Sequence, residues 1–355
     1  ITLSSFYTPN IDTYAKTVKE KALLRSLIGA SNDIMELSYR QSDDVSTILE
    51  VAESKIFDIS QDKLNDGLTK VGDTLDETIQ IINELSLNDG DITGVPTGLS
   101  TIDMKLSGLQ PSQLILLAAR PAMGKTALGL TMAWNAAKEG KSVAFFSLEM
   151  STLQLNYRLI SMVSMIDLEQ VMNGRIKDDE WELLFRSVRE IVDKDLYVDE
   201  TPAISLSEMR SKLKRLKAEN GLDLVVIDYL QLMSADSNKE NRQNEIASIS
   251  RGLKSLSKEL NCPILSLAQL SREADKRSDH KPILSDLRES GAIEQDADVV
   301  MLLYREDYYD EEDNPNIAKV IVAKHRNGST GTIDLFFNKP CTTFRDLSYK
   351  EENAN

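Results

Sequence analysis

The hydrophobic pattern of the first 60 residues is helical. Apolar residues recur every three or four positions from residue 11 to residue 41, which predicts one long helix. Ser42 can cap a second helix, whose apolar face includes residues 45, 48, 49, 52 and 56. Two helices cannot bury both faces of such a hairpin, so we expect it to pair with another chain or with further residues. A plain two-helix appendage remains the alternative.

A polar, acidic stretch over residues 61–72 predicts a linker. It is followed by an isolated amphipathic helix, predicted over about residues 73–86, and then by a second acidic loop. A helix between two linkers favours docking on a neighbouring domain or subunit, although packing on its own domain fits the same pattern. The apolar stripe of this helix consists of Leu75, Ile79, Ile82 and Leu85.

From about residue 94 the pattern changes, and short apolar runs alternate with helical ones. This alternation predicts an α/β domain in which helices cover a mainly parallel sheet. Ligands of such sheets bind at the carboxyl ends of the strands, so the residues that follow each strand are the candidates for chemistry. The predicted strands are residues 114–118, 143–147, 196–198, 224–227, 264–268, 299–303, 319–323 and 332–337.

Composition narrows the class of protein. The 355 residues are enough for more than one domain, and no apolar run approaches the length of a membrane span. No signal peptide is visible, although the chain begins at Ile1 without Met. Two cysteines and two histidines exclude a disulfide framework and a histidine-cluster metal site, and favour a reduced cytoplasm. The net charge of −16 argues against a general nucleic-acid coat but permits a local basic channel.

The first strand of the α/β region runs into a loop, the tripeptide Gly124-Lys125-Thr126 and a helix. This is the arrangement of a P-loop, in which backbone N–H groups and the helix N-terminus cradle phosphate. Lys125 is expected to reach the β- and γ-phosphates, and Thr126 to hold Mg²⁺. Because Ala119 replaces the usual first glycine, an ordinary strand-to-helix turn remains possible from this stretch alone. The candidate nucleotide-binding residues here are Ala119, Arg120, Pro121, Ala122, Met123, Gly124, Lys125, Thr126 and Ala127.

Three further strands end in residues that suit ATP hydrolysis. Glu149 follows the second strand and can orient the attacking water, whereas a lone glutamate there is more often solvated. Asp228 ends an apolar strand in the Walker B pattern and is the second candidate ligand of Mg²⁺, with a turn-capping aspartate as the alternative. Gln269 can sense the γ-phosphate or can be a surface amide.

Two other stretches carry cations. Lys324 and Arg326 lie two apart on a predicted strand and therefore on one face, where they can stabilise transition-state charge as an arginine finger. A basic hairpin tip is the alternative. Residues 285–298 predict a polar loop around Gly291, in which Arg288 and backbone N–H groups can meet phosphates. A solvated loop has the same composition.

Taken together, these motifs resemble the DnaB-type replicative DNA helicases. The resemblance runs in order over about residues 95–340, and residues 14–25 resemble the family's N-terminal helical hairpin. Ala119 at the first P-loop position is usual in that family. The motifs are Ala-Arg-Pro-Ala-Met-Gly-Lys-Thr (119–126), Phe-Phe-Ser-Leu-Glu-Met (145–150), Val-Val-Ile-Asp-Tyr-Leu-Gln-Leu-Met (225–233), Leu-Arg-Glu-Ser-Gly-Ala-Ile-Glu-Gln-Asp-Ala-Asp (287–298) and Lys-His-Arg-Asn-Gly (324–328).

The resemblance implies a RecA-like ATPase that uses ATP and Mg²⁺ and forms a homo-hexameric ring with its ATP sites between subunits. Lys125, Thr126, Glu149, Asp228 and Gln269 would act from one subunit, and Lys324 and Arg326 from its neighbour. The ring would translocate 5′ to 3′ on single-stranded DNA and unwind the duplex at the fork, with Arg288, Glu289 and Gly291 as DNA contacts. Primase and a helicase loader are the implied protein partners, and no membrane partner is expected. The implied location is the cytoplasm of a bacterial cell, or of the host cell for a phage-encoded member.

The resemblance also implies a domain organisation. Residues 1–60 would form the helical hairpin of the N-terminal collar, 61–94 a linker whose helix docks on the adjacent subunit, and 95–355 the ATPase domain. The family's globular N-terminal head is expected to be absent, and a phage-encoded member is compatible with the sequence. His325 and Ser329 stand where the family commonly has Gln and Pro, so the turn after the cation pair can differ.

Two other functions remain open at this stage. A RecA-fold recombination or repair ATPase would pair strands without unwinding, but such relatives often carry a cysteine-rich zinc motif that this sequence lacks. A nucleotide-dependent ring scaffold without motor activity would keep Lys125 but would not need Glu149 and Arg326 together.

Overall fold

The computed structural model of the chain forms two compact units, Ile1–Leu87 and Asn88–Asn355. Among the residues it describes, no helix is both long enough and apolar enough to cross a membrane. These residues are 11–40, 45, 48, 51–52, 55–56, 70–87, 92–233, 242–277, 279–310 and 314–347.

The first unit is helical, as its hydrophobic pattern predicts. Helix α1 spans Ile11–Arg40, and the described residues between 45 and 56 are also helical. Lys55 forms an ion pair with Asp33 of α1, which is the contact expected of a hairpin. The other residues of the second predicted helix lie outside the described ones. Much of the apolar surface of α1 stays exposed within this chain, including the side chains of Tyr14, Val18, Ile28 and Met35.

Helix α2 spans Leu75–Leu87 and follows a 3₁₀ turn at Val71–Thr74. The predicted helix is therefore confirmed, with its start two residues later. Leu75, Ile79 and Ile82 are 51%, 61% and 59% exposed, so the apolar stripe is available for docking. The side chain of Leu85 lies outside the described residues.

The second unit is built on a sheet that has nine strands within the described residues, in the order β3-β2-β4-β5-β1-β6-β7-β8-β9. The strands from β3 to β6 in this order are parallel, and β6 to β9 are antiparallel. All eight predicted strands are present. The strands are β1 Leu114–Ala119, β2 Val143–Ser147, β3 Leu196–Asp199, β4 Leu224–Asp228, β5 Ile264–Gln269, β6 Val299–Tyr304, β7 Ile317–His325, β8 Gly331–Asn338 and β9 Thr343–Asp346.

Helices cover both faces of this sheet. The central strands are fully buried, which is why they read as continuous apolar runs. One hydrophobic core joins the sheet to α4 and α5, and the other joins it to α8 and α9. The helices are α3 Ser100–Leu106, α4 Lys125–Lys138, α5 Thr152–Ser164, α6 Leu168–Asn173, α7 Trp181–Val192, α8 Leu206–Asn220, α9 Arg242–Glu259 and α10 Gly291–Asp296, with 3₁₀ turns at Leu230–Leu232, Ala274–Lys276, Leu284–Ser290 and Glu306–Tyr308.

The prediction of a loop over residues 285–298 is wrong, because most of this backbone is helical. The chain forms a 3₁₀ helix at Leu284–Ser290 and continues directly into α10. Leu287, Ile293 and Ala297 are buried in the core that contains α9. These three apolar residues anchor a segment whose overall composition is polar, and burial of its apolar residues favours helical backbone over an open loop.

Candidate nucleotide-binding site

The turn between β1 and α4 has the backbone of a phosphate-binding loop. Ala122 and Gly124 are left-handed, with φ of 65° and 97°. A Cβ on Gly124 would also lie 3.1 Å from Cζ of Phe344, so both conformation and space favour glycine there. Ala119 instead ends β1 in extended backbone, which any residue adopts. The missing first glycine is therefore no obstacle to a P-loop.

A cavity of about 310 Å³ lies against this loop. It falls in the size range of small-molecule sites and brings together residues that are far apart in the sequence. Met123 is the one predicted P-loop residue that does not line it, because its side chain is buried in the core. The lining residues are Ala119, Arg120, Pro121, Ala122, Gly124, Lys125, Thr126, Ala127, Glu149, Met150, Arg158, Gln269, Phe337 and Thr342.

Asp228 lies beside the P-loop and joins its two functional side chains. The Thr126 hydroxyl donates to Oδ2 of Asp228 at 2.6 Å, and Nζ of Lys125 lies 3.3 Å from Oδ1. The same ammonium lies 4.3 Å from the centroid of the Tyr229 ring, a cation–π contact. The structure thus brings together all three residues predicted to bind phosphate and metal.

This cluster fits a magnesium ion. Asp228 is fully buried, yet its Oδ1 accepts no hydrogen bond among the described residues, and Lys125 approaches it at more than charge-assisted hydrogen-bond length. A buried carboxylate oxygen without a donor is costly unless water or a cation satisfies it. Mg²⁺ prefers one or two carboxylate or hydroxyl oxygens together with phosphates and water, which matches Asp228 and Thr126.

Glu149 and Gln269 line the same cavity from the ends of β2 and β5, the two strands that flank β4. Ser147, at the end of β2, pairs with Asp228 at the end of β4, and Glu149 follows two residues later. Gln269 pairs with Ala119 in the register of β5 and β1, which sets it beside the start of the P-loop. Both side chains are exposed, so they are accessible to substrate and water.

Arg158 also lines the cavity, although it belongs to none of the sequence motifs. It lies on α5, which Ser151 and Gln154 start with a capping box immediately after the Glu149 strand end. Burial lowers the pKa of Arg158, and the nearby carboxylates of Asp228 and Glu149 oppose that shift. The sequence carries no local signal for this contact, because it depends on the packing of α5 beside α4 in one core.

Replacing Arg158 by methionine is expected to weaken nucleotide binding by about 10- to 100-fold, since a hydrogen bond to a charged group contributes roughly 1.5–3 kcal/mol. Methionine keeps the aliphatic packing of α5 and removes the charge. The measurement is titration of the protein with a fluorescent ATP analogue. Arg186→Met, on the exposed side of α7, is the matched control. Equal affinities of the two variants would remove Arg158 from the site.

Arg120 contributes to the loop through its backbone and anchors it through its side chain. The guanidinium donates to both carboxylate oxygens of Asp275 and to the carbonyl of Leu270 at 2.9 Å. This arginine lowers the pKa of Asp275, which also accepts from the Tyr309 hydroxyl at 2.9 Å. The side chain of Arg120 therefore ties the P-loop to the segment after β5.

Lys324 and Arg326 are far from the P-loop of their own subunit. The antiparallel pairing of β7 with β6 sets Lys324 opposite Val300, and β6 is parallel to β1. The cations therefore lie at the amino end of β6, whereas the P-loop follows the carboxyl end of β1. Through Val300, Lys324 is level with Leu116, which is three residues and roughly 10 Å along β1 from Ala119 at about 3.3 Å per residue, and Arg326 lies farther still from the P-loop. The turn after them is held by Lys105, whose Nζ donates to the Ser329 hydroxyl at 2.9 Å.

The backbone of the predicted DNA contacts is helical. Arg288 and Glu289 belong to the 3₁₀ helix, and Gly291 is the first residue of α10. The side chains of residues 288–292 lie outside the described ones. The segment runs back along the sheet, because it starts after the carboxyl end of β5 and ends at the amino end of β6.

Fold and site together define a P-loop ATPase with a RecA-like core. Residues 94–346 match the family described as the DnaB-like helicase C-terminal domain. The chain is 42% identical over 97% of its length to 77% of a replicative DNA helicase, DnaB, of Geobacillus stearothermophilus. It is 39% identical over its whole length to 79% of the DnaB of Rickettsia prowazekii.

Solved structures of similar proteins point to the same family. A DnaB-like replicative helicase, described with its interactions with primase, covers 97% of this chain and 80% of its own, with 34% identity and a TM-score of 0.83. A second solved structure, described as an ATPase domain, covers 79% of this chain and all of its own, with 38% identity and a TM-score of 0.75. The chain therefore belongs to the DnaB-like helicase family.

Family membership confirms the enzyme predicted from the motifs. The chain is a nucleotide-binding ATP hydrolase and a replicative DNA helicase. The recombination ATPase and the scaffold without motor activity are set aside, because relatives that span nearly the whole chain are helicases.

Proposed function

We propose that each ATP site of this helicase is shared by two subunits of a ring. One observation carries the proposal. Lys324 and Arg326 lie towards the amino ends of the parallel strands, whereas the P-loop of the same subunit lies at their carboxyl ends. Head-to-tail packing of copies around a ring brings one surface of a subunit against a different surface of the next. Six copies, a homo-hexamer, is the arrangement that the family resemblance implies.

Within the site, each residue of this chain has a separate task. Lys125 and the backbone of residues 119–127 bind the phosphates, while Thr126 and Asp228 hold Mg²⁺. Glu149 accepts the proton of the attacking water, and Gln269 reports the γ-phosphate to the segment after β5. When bound, Mg²⁺ would neutralise negative charge on the phosphates of the nucleotide. Lys324 and Arg326 of the neighbouring subunit stabilise the charge of the transferred phosphoryl group.

Residues 288–291 are proposed to grip single-stranded DNA in the centre of the ring, through Arg288, Glu289 and Gly291. A motor that moves along any sequence needs backbone contacts and not base readout. A few inward-facing cations suffice for that, which reconciles DNA binding with a net charge of −16. The proposed direction of movement is 5′ to 3′.

The remaining regions are proposed to assemble the ring and its partners. Residues 1–60 form the collar, 61–94 the linker, and 95–355 the motor domain. The exposed stripe of α2, Leu75, Ile79 and Ile82, docks on the adjacent subunit. Primase and a helicase loader are the proposed protein partners, in the cytoplasm of a bacterial cell.

Unwinding of a forked duplex tests this function. With ATP and Mg²⁺, the protein is expected to separate a fork whose 5′ tail is single-stranded, and not a matched duplex with only a 3′ tail. Glu149→Gln and Arg326→Ala should bind both substrates but unwind neither. Binding and hydrolysis without unwinding by the unaltered chain would contradict the motor, and preference for the 3′ tail would contradict the direction.

A further inference from the structure

Both cations of the proposed finger pair are engaged at the carboxyl end of α10. Nζ of Lys324 donates to the carbonyl oxygens of Glu294, at 2.5 Å, and Gln295, at 3.1 Å. Arg326 donates from its guanidinium to Oδ1 of Asp298 at 3.2 Å, and from its backbone N–H to the Asp298 carbonyl at 2.9 Å. Lys324 therefore holds the end of α10, and Arg326 holds Asp298, which follows the helix by two residues.

The two cations bind different parts of this region. Asp298 also accepts from Lys254 at 2.6 Å and from the backbone N–H of Leu114 at 2.9 Å, so it stays fixed to the sheet whether or not Arg326 is there. Lys324 instead caps the last carbonyls of a helix, where a positive charge is favourable. Since α10 has only six residues, a cap at its end affects the whole helix.

The other end of α10 is the proposed DNA contact. Gly291 is both the first residue of the helix and a predicted DNA-binding residue. The proposed contacts lie between two buried anchors, Leu287 and Ile293. Little more than one helical turn separates Gly291 from the carbonyl of Gln295, so a shift at the capped end reaches the DNA-binding stretch.

The amino side of this stretch is tied to the ATP site of its own subunit. The backbone N–H of Ser271 donates to the carbonyl of Asp286 at 3.0 Å, and Ser271 follows Gln269 by two residues. The residue between them, Leu270, donates its N–H to the carbonyl of Ala119 at 3.0 Å. The DNA-binding stretch is thus held on one side by its own nucleotide site and on the other by Lys324.

We propose that Lys324 couples the nucleotide site of the neighbouring subunit to the DNA-binding stretch of its own subunit. The proposal rests on the shared site described above. A phosphate oxygen is a stronger acceptor than a backbone carbonyl, because the bond is charge-assisted on both sides. When the neighbour holds ATP, Lys324 exchanges the carbonyls of Glu294 and Gln295 for the γ-phosphate, and α10 loses its cap. Burial and the proximity of Arg326 lower the pKa of Lys324, and a phosphate anion relieves that repulsion.

Nucleotide-dependent DNA affinity of Lys324→Met and Arg326→Met tests this coupling. The dissociation constant for a fluorescent oligothymidylate is measured in ADP and in a non-hydrolysable ATP analogue. The unaltered chain should show a ratio of about 5-fold or more between the two states, the lower range of allosteric coupling. Arg326→Met should keep that ratio, because Lys324 still exchanges partners, whereas Lys324→Met should reduce it to less than about twofold.

The outcomes separate this proposal from the shared site. If both variants hydrolyse ATP at the unaltered rate, the shared site is wrong. If hydrolysis falls but Lys324→Met keeps the affinity ratio, or if the unaltered chain shows a ratio near one, the coupling is wrong. Hydrogen exchange on the unaltered protein needs no variant that must fold: the amides of residues 293–297 should exchange faster with the ATP analogue than with ADP. Equal exchange in the two states contradicts the coupling.

Discussion

Replacing Glu149 by glutamine is expected to lower the rate of ATP hydrolysis by about 10²- to 10⁴-fold, the usual contribution of a general base. Glutamine has the shape of glutamate but cannot accept the proton of the attacking water. Glu149 lines the cavity at the end of β2 and is exposed, so the substitution leaves the packing of the sheet unchanged. Steady-state phosphate release at saturating ATP is the measurement.

Nucleotide affinity separates a catalytic effect from a structural one. The affinity of Glu149→Gln for ATP should stay within about twofold of the unaltered value, because Lys125, Thr126 and Asp228 still bind phosphate and metal. Glu169→Gln, on the exposed surface of α6, is a control that should hydrolyse ATP normally. A Glu149 variant that keeps its full rate would assign the base to another residue.

Replacing Arg326 by alanine is expected to lower hydrolysis by about 10³- to 10⁵-fold, the range found for arginine fingers. The P-loop of the same subunit is intact in this variant, and the loss arises only at the neighbouring site. The fold should be unaffected, because Asp298 keeps its bonds to Lys254 and to the Leu114 N–H, and the Arg326 side chain is 55% exposed. Phosphate release is measured at a concentration where the protein is assembled.

Arg175→Ala is the control for a lost surface arginine, since Arg175 is exposed in the loop after α6. It should retain the unaltered rate. Light scattering of both variants checks assembly, because a failure to form the ring would lower hydrolysis for a different reason. If Arg326→Ala assembles and hydrolyses ATP as fast as Arg175→Ala, Arg326 has no part in the reaction.

The parts of this structure that the sequence predicts best are those whose signal is local. The buried parallel strands read as apolar runs, and the P-loop and the strand-end carboxylates follow from the position of chemistry in such sheets. β9 was missed because its four residues include Arg345 and Asp346 and show no strand pattern. The helical backbone of residues 284–296 was missed because its anchors, Leu287 and Ile293, are sparse in a polar segment.

Contacts between distant parts of the chain could not be predicted from the sequence. Arg158 reaches the P-loop only because α5 packs beside α4, and a single arginine on a helix carries no such signal. The face shared by Lys324 and Arg326 was predictable from strand periodicity. Their position away from their own P-loop depends on the antiparallel pairing of β7 with β6. This pairing sets the carboxyl end of β7 beside the amino end of β6.

The most direct test of a shared site mixes two inactive variants, Lys125→Ala and Arg326→Ala. Each alone should hydrolyse ATP at a small fraction of the unaltered rate. In randomly mixed rings with head-to-tail interfaces, about one quarter of the sites combine an intact P-loop with an intact finger, one half multiplied by one half. Hydrolysis by the equimolar mixture should therefore rise to about a quarter of the unaltered rate. A mixture no more active than the sum of its separate components would contradict a site built from two subunits.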